Sequence, residues 1–166
     1  MSKLNHLSKE QCKEILSVAL ETGADFAEVF MEDTVNFSQE MISCKTTKSN
    51  TSMVKGAAFR IIKGNIVVNS TTTDISYENL MKEAEKLASN FDGQKTTEVS
   101  EFIDTTNTKN VKINEDRIYD DVTPLLLKAS EAAFNVSKEI VQTVAGATKK
   151  NQEIFVFASD GAYAHD

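Results

Sequence analysis

The sequence predicts an α+β domain, a two-layer sandwich in which helices cover one face of a mostly antiparallel sheet. Three observations carry this. Gly56–Ile62 and Ile66–Val68 are apolar runs joined by Lys63-Gly64-Asn65, a hairpin signal because a two-residue turn needs the positive φ that Gly and Asn tolerate. Three amphipathic helical stripes are separated by segments of strand-like alternation. The elements come in groups, as helix, about four strands, helix, loop, helix and two strands, and such grouping points to helices segregated on one face of a sheet. A helix-then-hairpin unit occurs at Ser8–Met41 and again at Asp120–Ser159, an order compatible with internal duplication, although the two copies share no residue-level echo.

The first helix begins at Ser8, where Ser8 and Gln11 form a capping box and Leu7 and Cys12 are spaced as a hydrophobic staple. Cys12, Ile15, Leu16, Ala19 and Leu20 make one stripe. Gly23 follows where a left-handed residue is wanted. Phe26–Asp33 then alternates Ala27, Val29 and Met31 with Glu28, Phe30 and Glu32. Asn36–Ile42 reads as a second strand with Phe37, Gln39 and Met41 on one side. The polar Ser43–Ser52 reads as an exposed strand or ragged edge. In the hairpin, Phe59 and Ile61 share a face and Arg60 takes the other; this hairpin is expected at the centre of the sheet, with Ser70–Asp74 ending it.

The second helix starts near Ser76, buries Leu80, Met81, Ala84, Leu87, Ala88 and Phe91, and ends at Asp92-Gly93. Gln94–Asn114 is rich in Thr, Asn, Lys and Glu and is expected as a loosely packed linker or surface loop, anchored through Val99, Phe102 and Ile103. The third helix is expected over Asp120–Ser137, with Pro124 in its first turn and Leu125, Leu126, Ala129, Ala132, Ala133 and Val136 as its stripe. Ile140–Thr148, a turn at Lys149-Lys150-Asn151, and Glu153–Ser159 close the chain as two strands, and Asp160-Gly161 is a further turn signal. The organisation is therefore 1–93 as helix, four-stranded sheet and helix, 94–114 as linker, and 115–166 as helix plus hairpin of the same domain. Val29, Phe59, Ile61, Leu16, Leu87 and Val156 are expected in the core.

The chain has 166 residues, 40% hydrophobic and 26% charged, with a formal net charge of −7. That length supports a sizeable core. The negative charge and the lack of a Lys/Arg cluster argue against binding nucleic acid, whose phosphates must be neutralised. No apolar run approaches the roughly 20 residues that cross a bilayer, so no membrane span is expected. The N-terminus lacks the apolar core of a secretory signal. Two cysteines, Cys12 and Cys44, form no CxxC pair and fit a reducing, cytoplasmic compartment.

Chemistry-bearing patterns are sparse. His6 and His165 lie near opposite ends, in neither an HExxH nor an i, i+4 pair, and read as solvent-exposed. Cys44 sits beside Lys45, which favours a thiolate, but no base lies near it in sequence. Glu32-Asp33, Glu115-Asp116 and Asp120-Asp121 lack the spaced ligands of a calcium loop and read as solvated charge. No phosphate-binding glycine loop is present, and Gly56, Gly64, Gly146 and Gly161 read as turn or bulge residues. No residue is expected as catalytic, cofactor-binding or metal-binding. The one suggestive feature is the polar, Thr-rich edge Asn36–Ser52, where a guest peptide strand could add by backbone hydrogen bonds; the alternative is an edge made polar to prevent aggregation.

Four segments in order resemble the TldD/PmbA family of metallopeptidases, whose members also carry the name modulator of DNA gyrase. Gly23-Ala24-Asp25-Phe26-Ala27-Glu28-Val29 is similar to the family's GADYAE-type first strand. Gly56–Gly64 is similar to its GxGxRxIxxG stretch, with Ala57-Ala58 where a second Gly is usual. Ser70–Ser76 is similar to its strand exit into a helix. Ile154–Gly161, with Asp166 after it, resembles the TldD branch, where an apolar strand, a Ser/Thr-Asp-Gly turn and D-x-R-P follow one another. The resemblance implies a cytoplasmic, zinc-dependent peptidase acting on small or unfolded peptides, as a homodimer or with a PmbA-type subunit. It places the zinc on an HExxxH of a later helix and a downstream Cys. Nothing in this chain matches that motif, so the resemblance implies an N-terminal, non-catalytic domain, inactive alone, that contributes to dimerisation and the substrate chamber. The alternative is a stand-alone protein- or peptide-interaction module without enzymatic activity.

Overall fold

The computed structural model describes residues 4, 7–106 and 120–166. Within them the chain is a mixed α+β fold with three helices and a six-stranded sheet. Helix α1 spans Lys9–Leu20, α2 Tyr77–Ala88 and α3 Thr123–Phe134. The strands are β1 (Phe26–Ile42), β2 (Lys45–Lys63), β3 (Ile66–Thr72), β4 (Ile103–Asp104), β5 (Val144–Ala158) and β6 (Ala162–His165), ordered β3-β2-β1-β5-β6-β4 across the sheet. The chain divides into two compact units, one of Met1–Asp33, Lys55–Val111 and Glu153–Asp166, the other of Thr34–Val54 and Lys112–Gln152.

In the first unit, α1 begins as its sequence dictates. The Gln11 amide donates to Ser8 Oγ at 3.2 Å and the Ser8 amide donates to Gln11 Oε1 at 2.9 Å, satisfying two donors that a helix start leaves without partners. Leu7 and Cys12 are both buried beside this cap, and the whole Cys12–Leu20 stripe is buried. Gly23 takes φ +86°. The α2 stripe meets α1 over the sheet: Leu80, Ala84 and Leu87 join Ile15, Leu16 and Leu20 in a core whose floor is Ala27, Val29, Met31, Phe59, Ile61, Phe155 and Phe157. This is a two-layer packing, helices on one sheet face.

The hairpin forms in the expected register, Lys63↔Ile66 and Phe59↔Ser70. Gly64 carries the positive φ, +56°, as the first central residue of a tight turn does. Gly56 answers a different demand: a Cβ there would lie 2.4 Å from the Thr72 carbonyl oxygen, where β3 ends against β2. Phe59 and Ile61 are buried and Arg60 is exposed, paired with Glu28 Oε2 at 3.0 Å.

Several expectations are corrected. The hairpin lies at one side of the sheet, with β3 as the edge; β1 and β5 are the central pair. Local alternation reports which face a residue takes, and carries no information about which distant strand pairs next to it. Phe26–Asp33 and Asn36–Ile42 are one strand, because nothing between them breaks extension: Thr34 and Val35 are β-branched and buried. After a turn at Ser43-Cys44, Lys45–Ser52 likewise continues into the hairpin arm, so three strands, not about four, separate α1 from α2. β5 runs straight through Lys149-Lys150-Asn151, and the reversal falls at Asp160-Gly161, where the Gly161 amide donates to the Ala158 carbonyl at 3.1 Å. Val156 is only half-buried; its neighbours Phe155 and Phe157 point to the core instead. α2 ends at Ala88, and Phe91 reaches the core from the turn beyond it.

Residues 94–106 are largely irregular, as expected, and none is fully buried, but their backbone is tied to β6 and the turn before it. The Ser100 amide donates to Ser159 O, Ile103 to Gly161 O and Thr105 to Tyr163 O, all at 2.8 to 2.9 Å, so this strap adds β4 in parallel to β6. Val99 and Phe102 pack against the core, whereas Ile103 is 70% exposed and anchors through its backbone alone. The remainder of Gln94–Asn114 lies outside the described residues.

In the second unit, α3 makes polar contacts with β1 and with Thr143, the residue just before β5. Gln39 Nε2 donates to Thr123 Oγ1 at 2.9 Å, and the Thr143 and Ser130 hydroxyls meet at 3.2 Å. Leu126 and Ser130 are its buried residues. The expected stripe is borne out at Leu126 and corrected elsewhere: Leu125, Ala129, Ala132 and Val136 are exposed, and Ala133 is half-buried.

Candidate functional site

The feature with most chemical potential lies on the second unit, where β1 and β2 leave the hairpin core as a long ribbon. A two-residue turn, Ser43-Cys44, joins them, with φ +45° and +62°. Both central residues are left-handed, as a primed hairpin turn requires. Neither is Gly, which is why the sequence conceals the turn. The ribbon is stitched by side chains: Thr47 Oγ1 donates to Glu40 Oε1 at 3.1 Å, and Lys48 Nζ lies 3.4 Å from the same oxygen.

The register of β3 begins at Ala57, so Lys45–Val54 of β2 is paired by β1 on one side and by no described strand on the other. Every residue of Lys45–Val54 is exposed. The unpaired amides and carbonyls of such a margin can hydrogen-bond an added extended chain. Only this part of the expected Asn36–Ser52 edge is an edge. Asn36–Ile42 belongs to β1, an interior strand. Lys45 and Lys48 on the margin are also residues that discourage edge-to-edge aggregation.

Beside this margin is an open trough of about 270 Å³, lined by Ser38, Glu40, Lys48, Asn50, Gly146 and Thr148 among others. Val144, Gly146 and Thr148 are exposed while Thr143 is buried against α3, so the trough lies on the strand face turned away from that helix. Gly146 supplies the floor, and the nearest atom to a Cβ placed there would be Gln39 O at 3.7 Å. The lining offers hydroxyl, amide and one paired carboxylate group: means of holding a polar chain, without a nucleophile–base pair.

The residues weighed from sequence scatter. His6 lies outside the described residues, as do Glu115 and Asp116. His165 is not solvent-exposed as expected: β6 pairs with β5, and its Nε2 sits 2.8 Å from Glu153 Oε1, both side chains almost covered. Glu153 Oε1 also accepts from the Leu4 amide at 3.3 Å, so the pair ties the N-terminal segment to the sheet. Sequence reasoning missed this clasp because its members lie on different strands; the signal was a lone His in a strand beside an aromatic run. Cys44 is half-buried in the ribbon turn, and Cys12 is fully buried, its thiol pushed up to about 12 by desolvation and then by Glu10. Asp33 is mostly covered and lies 3.8 Å from Lys55, rather than being solvated. Asp121 accepts from the Thr123 amide at 2.9 Å at the start of α3, and hydrogen bonds from Thr123 hold its carboxyl below the usual range. Among the described residues, no group of three or more His, Cys, Asp or Glu stands together as a metal cage would require. The donor set therefore does not fit a zinc centre within this part of the chain. No helix of the described residues is long and apolar enough to cross a membrane.

No protein-family model matches the chain, and no curated protein matches it by sequence. Solved structures do match by fold. A putative modulator of DNA gyrase from Bacteroides thetaiotaomicron superposes with TM-score 0.66 at 12% identity, over 95% of this chain and 38% of that one. A protein of the same description from Thermotoga maritima gives 0.68 at 11%, over 95% and 36%. TldE from Thermococcus kodakarensis gives 0.56 at 14%, over 86% and 33%. The class that the fold defines is thus a domain architecture found within larger gyrase-modulator and TldE chains. This chain spans less than two fifths of their length. TldE and the gyrase-modulator proteins both match, and the fold does not separate the TldD branch from the other.

Proposed function

We propose that this chain is the non-catalytic N-terminal domain of a TldD/PmbA-type zinc metallopeptidase that acts on small or unfolded peptides. The supporting observation is the fold: 95% of the chain is similar to little more than a third of two larger gyrase-modulator chains. In this reading the zinc and its general base reside elsewhere in the assembly, and no step of hydrolysis runs through residues described here. The domain contributes contacts to a second subunit, its own kind or a PmbA-type partner, and a wall of the substrate chamber. The free margin Lys45–Val54 and its trough hold an extended peptide by backbone hydrogen bonds, which suits substrates of varied sequence. Location in the reducing cytoplasm accords with two unpaired cysteines.

The test is to assay the isolated chain with zinc and a reduced, unfolded protein substrate, and to read the encoding frame past Asp166. Expected are no hydrolysis, no stoichiometric zinc, and an HExxxH downstream. Hydrolysis by the isolated chain, or a frame with no such motif and no catalytic partner subunit, overturns the proposal. In the latter case the free margin favours the second reading, a stand-alone peptide-interaction module. Direct DNA binding is disfavoured by the charge of −7, and tight, salt-dependent binding to duplex DNA would revive it.

A further inference from the structure

Residues 100–105 fill one edge of the sheet. β6 pairs with β5 on one side. On the other, the carbonyls of Gly161 and Tyr163, and of Ser159 just before them, accept from the amides of Ile103, Thr105 and Ser100. Gly161 permits the close approach, since a Cβ there would lie 2.6 Å from Glu101 O. Side chains complete the seat. Phe102 lies against Tyr163, ring centres 5.1 Å apart, and packs on the core. Two lysines one turn apart on α1 face the strap. Lys9 Nζ lies 3.4 Å from Asp104 Oδ2 and 4.8 Å from the Tyr163 ring centre. Lys13 Nζ lies 2.8 Å from Glu101 Oε1 and 5.8 Å from the Phe102 ring centre. Ile103, between these contacts, is 70% exposed. The seat therefore reads a definite pattern in an extended chain: an acid, an aromatic ring, any residue, a second acid.

The strap is held lightly. β4 pairs with β6 over two residues. The Glu101 and Asp104 side chains are 93% and 44% exposed, so their ion pairs contribute little. A segment with so little burial opens locally at a lower cost than global unfolding. Once it opens, the row of carbonyls, the Tyr163 ring and both ammonium groups face solvent together. Those are the means by which a sheet edge takes up a guest strand and selects its side chains.

We propose that the β6 edge with Lys9 and Lys13 is a second peptide-binding site, selective for extended Glu-aromatic-x-Asp segments of another protein, which residues 101–104 occupy from within as a displaceable stand-in. This goes beyond the function proposed above and needs neither the zinc nor the β2 margin: a chain that never cleaves a peptide keeps this site. The tethered strap competes at an effective concentration on the order of millimolar, so the guest binds the wild-type chain weakly.

Amide exchange on the wild-type chain and fluorescence anisotropy with a labelled, end-blocked peptide of residues 98–106 test it. The Ser100, Ile103 and Thr105 amides are expected to exchange faster than those in the middle of α1. Adding the peptide at about millimolar concentration should speed them further, by trapping the open strap. Glu101→Lys with Asp104→Lys, which reverses the strap's charges, should bind the peptide roughly ten-fold more tightly than wild type, because the competitor is weakened. Adding Lys9→Glu and Lys13→Glu to that variant should restore the strap's ion pairs and abolish peptide binding. Strap amides that exchange only with global unfolding or ignore the added peptide overturn the proposal, and this arm needs no substitution. So does a folded double variant that fails to bind. Equal binding of a peptide with Lys at both acidic positions also overturns it, because that result places the peptide on the β2 margin.

Discussion

Phe59 and Arg60 show how much of this protein is decided side chain by side chain. They are adjacent, and strand alternation sends one to the core and the other to a surface pair with Glu28. Phe59→Ala should cost about 3–5 kcal/mol, because it removes a large buried ring and leaves a cavity. Arg60→Ala should cost about 1 kcal/mol or less, since an exposed ion pair is worth little. Urea unfolding monitored by circular dichroism measures both, and equal losses would mean that the alternation is misassigned. Cys12 gives a pH test. Its thiol ionises near 8.5 in an unfolded chain and at about 12 when buried here. The native state therefore holds this proton where the unfolded state has lost it. The contribution is intact below about pH 8.5 and is lost as pH rises from there through about 12. Stability measured at successive alkaline pH values should fall across that window, and more shallowly in Cys12→Ala once its lower starting stability is subtracted.

Where a helix or strand begins and ends, the local chemistry is explicit. Ser8→Ala removes one half of the reciprocal cap on α1 and should lower stability by about 1 kcal/mol. The same replacement at Ser76 should cost less, because Ser76 makes no side-chain capping bond to α2. Comparing the two thermal midpoints checks this, and equal shifts would deny the cap its role. Gly56→Ala should destabilise by about 1–3 kcal/mol, since the added Cβ meets the Thr72 carbonyl at 2.4 Å and must push β3 away from β2. Gly146→Ala, which would meet nothing closer than 3.7 Å, is the control, and should leave stability nearly unchanged while partly filling the trough. The α3 stripe is the instructive failure at this level. Leu125, Leu126, Ala129, Ala132, Ala133 and Val136 are all apolar, and helical periodicity found them. Two overlapping faces satisfy that periodicity, and the one that the domain covers is the one where Ser130 finds the Thr143 hydroxyl just before β5 and Thr123 finds the Gln39 amide on β1.

Taken as one protein, the chain joins a well-packed unit built on α1, α2 and two Phe residues of β5 to a ribbon-like unit with an open margin and an unmatched helix face. Several of the described groups weighed for chemistry have local structural partners: His165 pairs with Glu153, Cys12 is sealed in the core, Asp121 accepts from the Thr123 amide at the start of α3, and Asp33 lies beside Lys55. The α+β class, the capping of α1, the Phe59 face and the Gly64 turn were all readable, because each rests on interactions within a few residues or on a fixed period. The strand order, the position of the hairpin at the sheet's side, the strap of residues 94–106 along β6 and the free margin of β2 were not. Each is a pairing between segments far apart in the chain, and a strand's own residues specify its two faces without naming its neighbours.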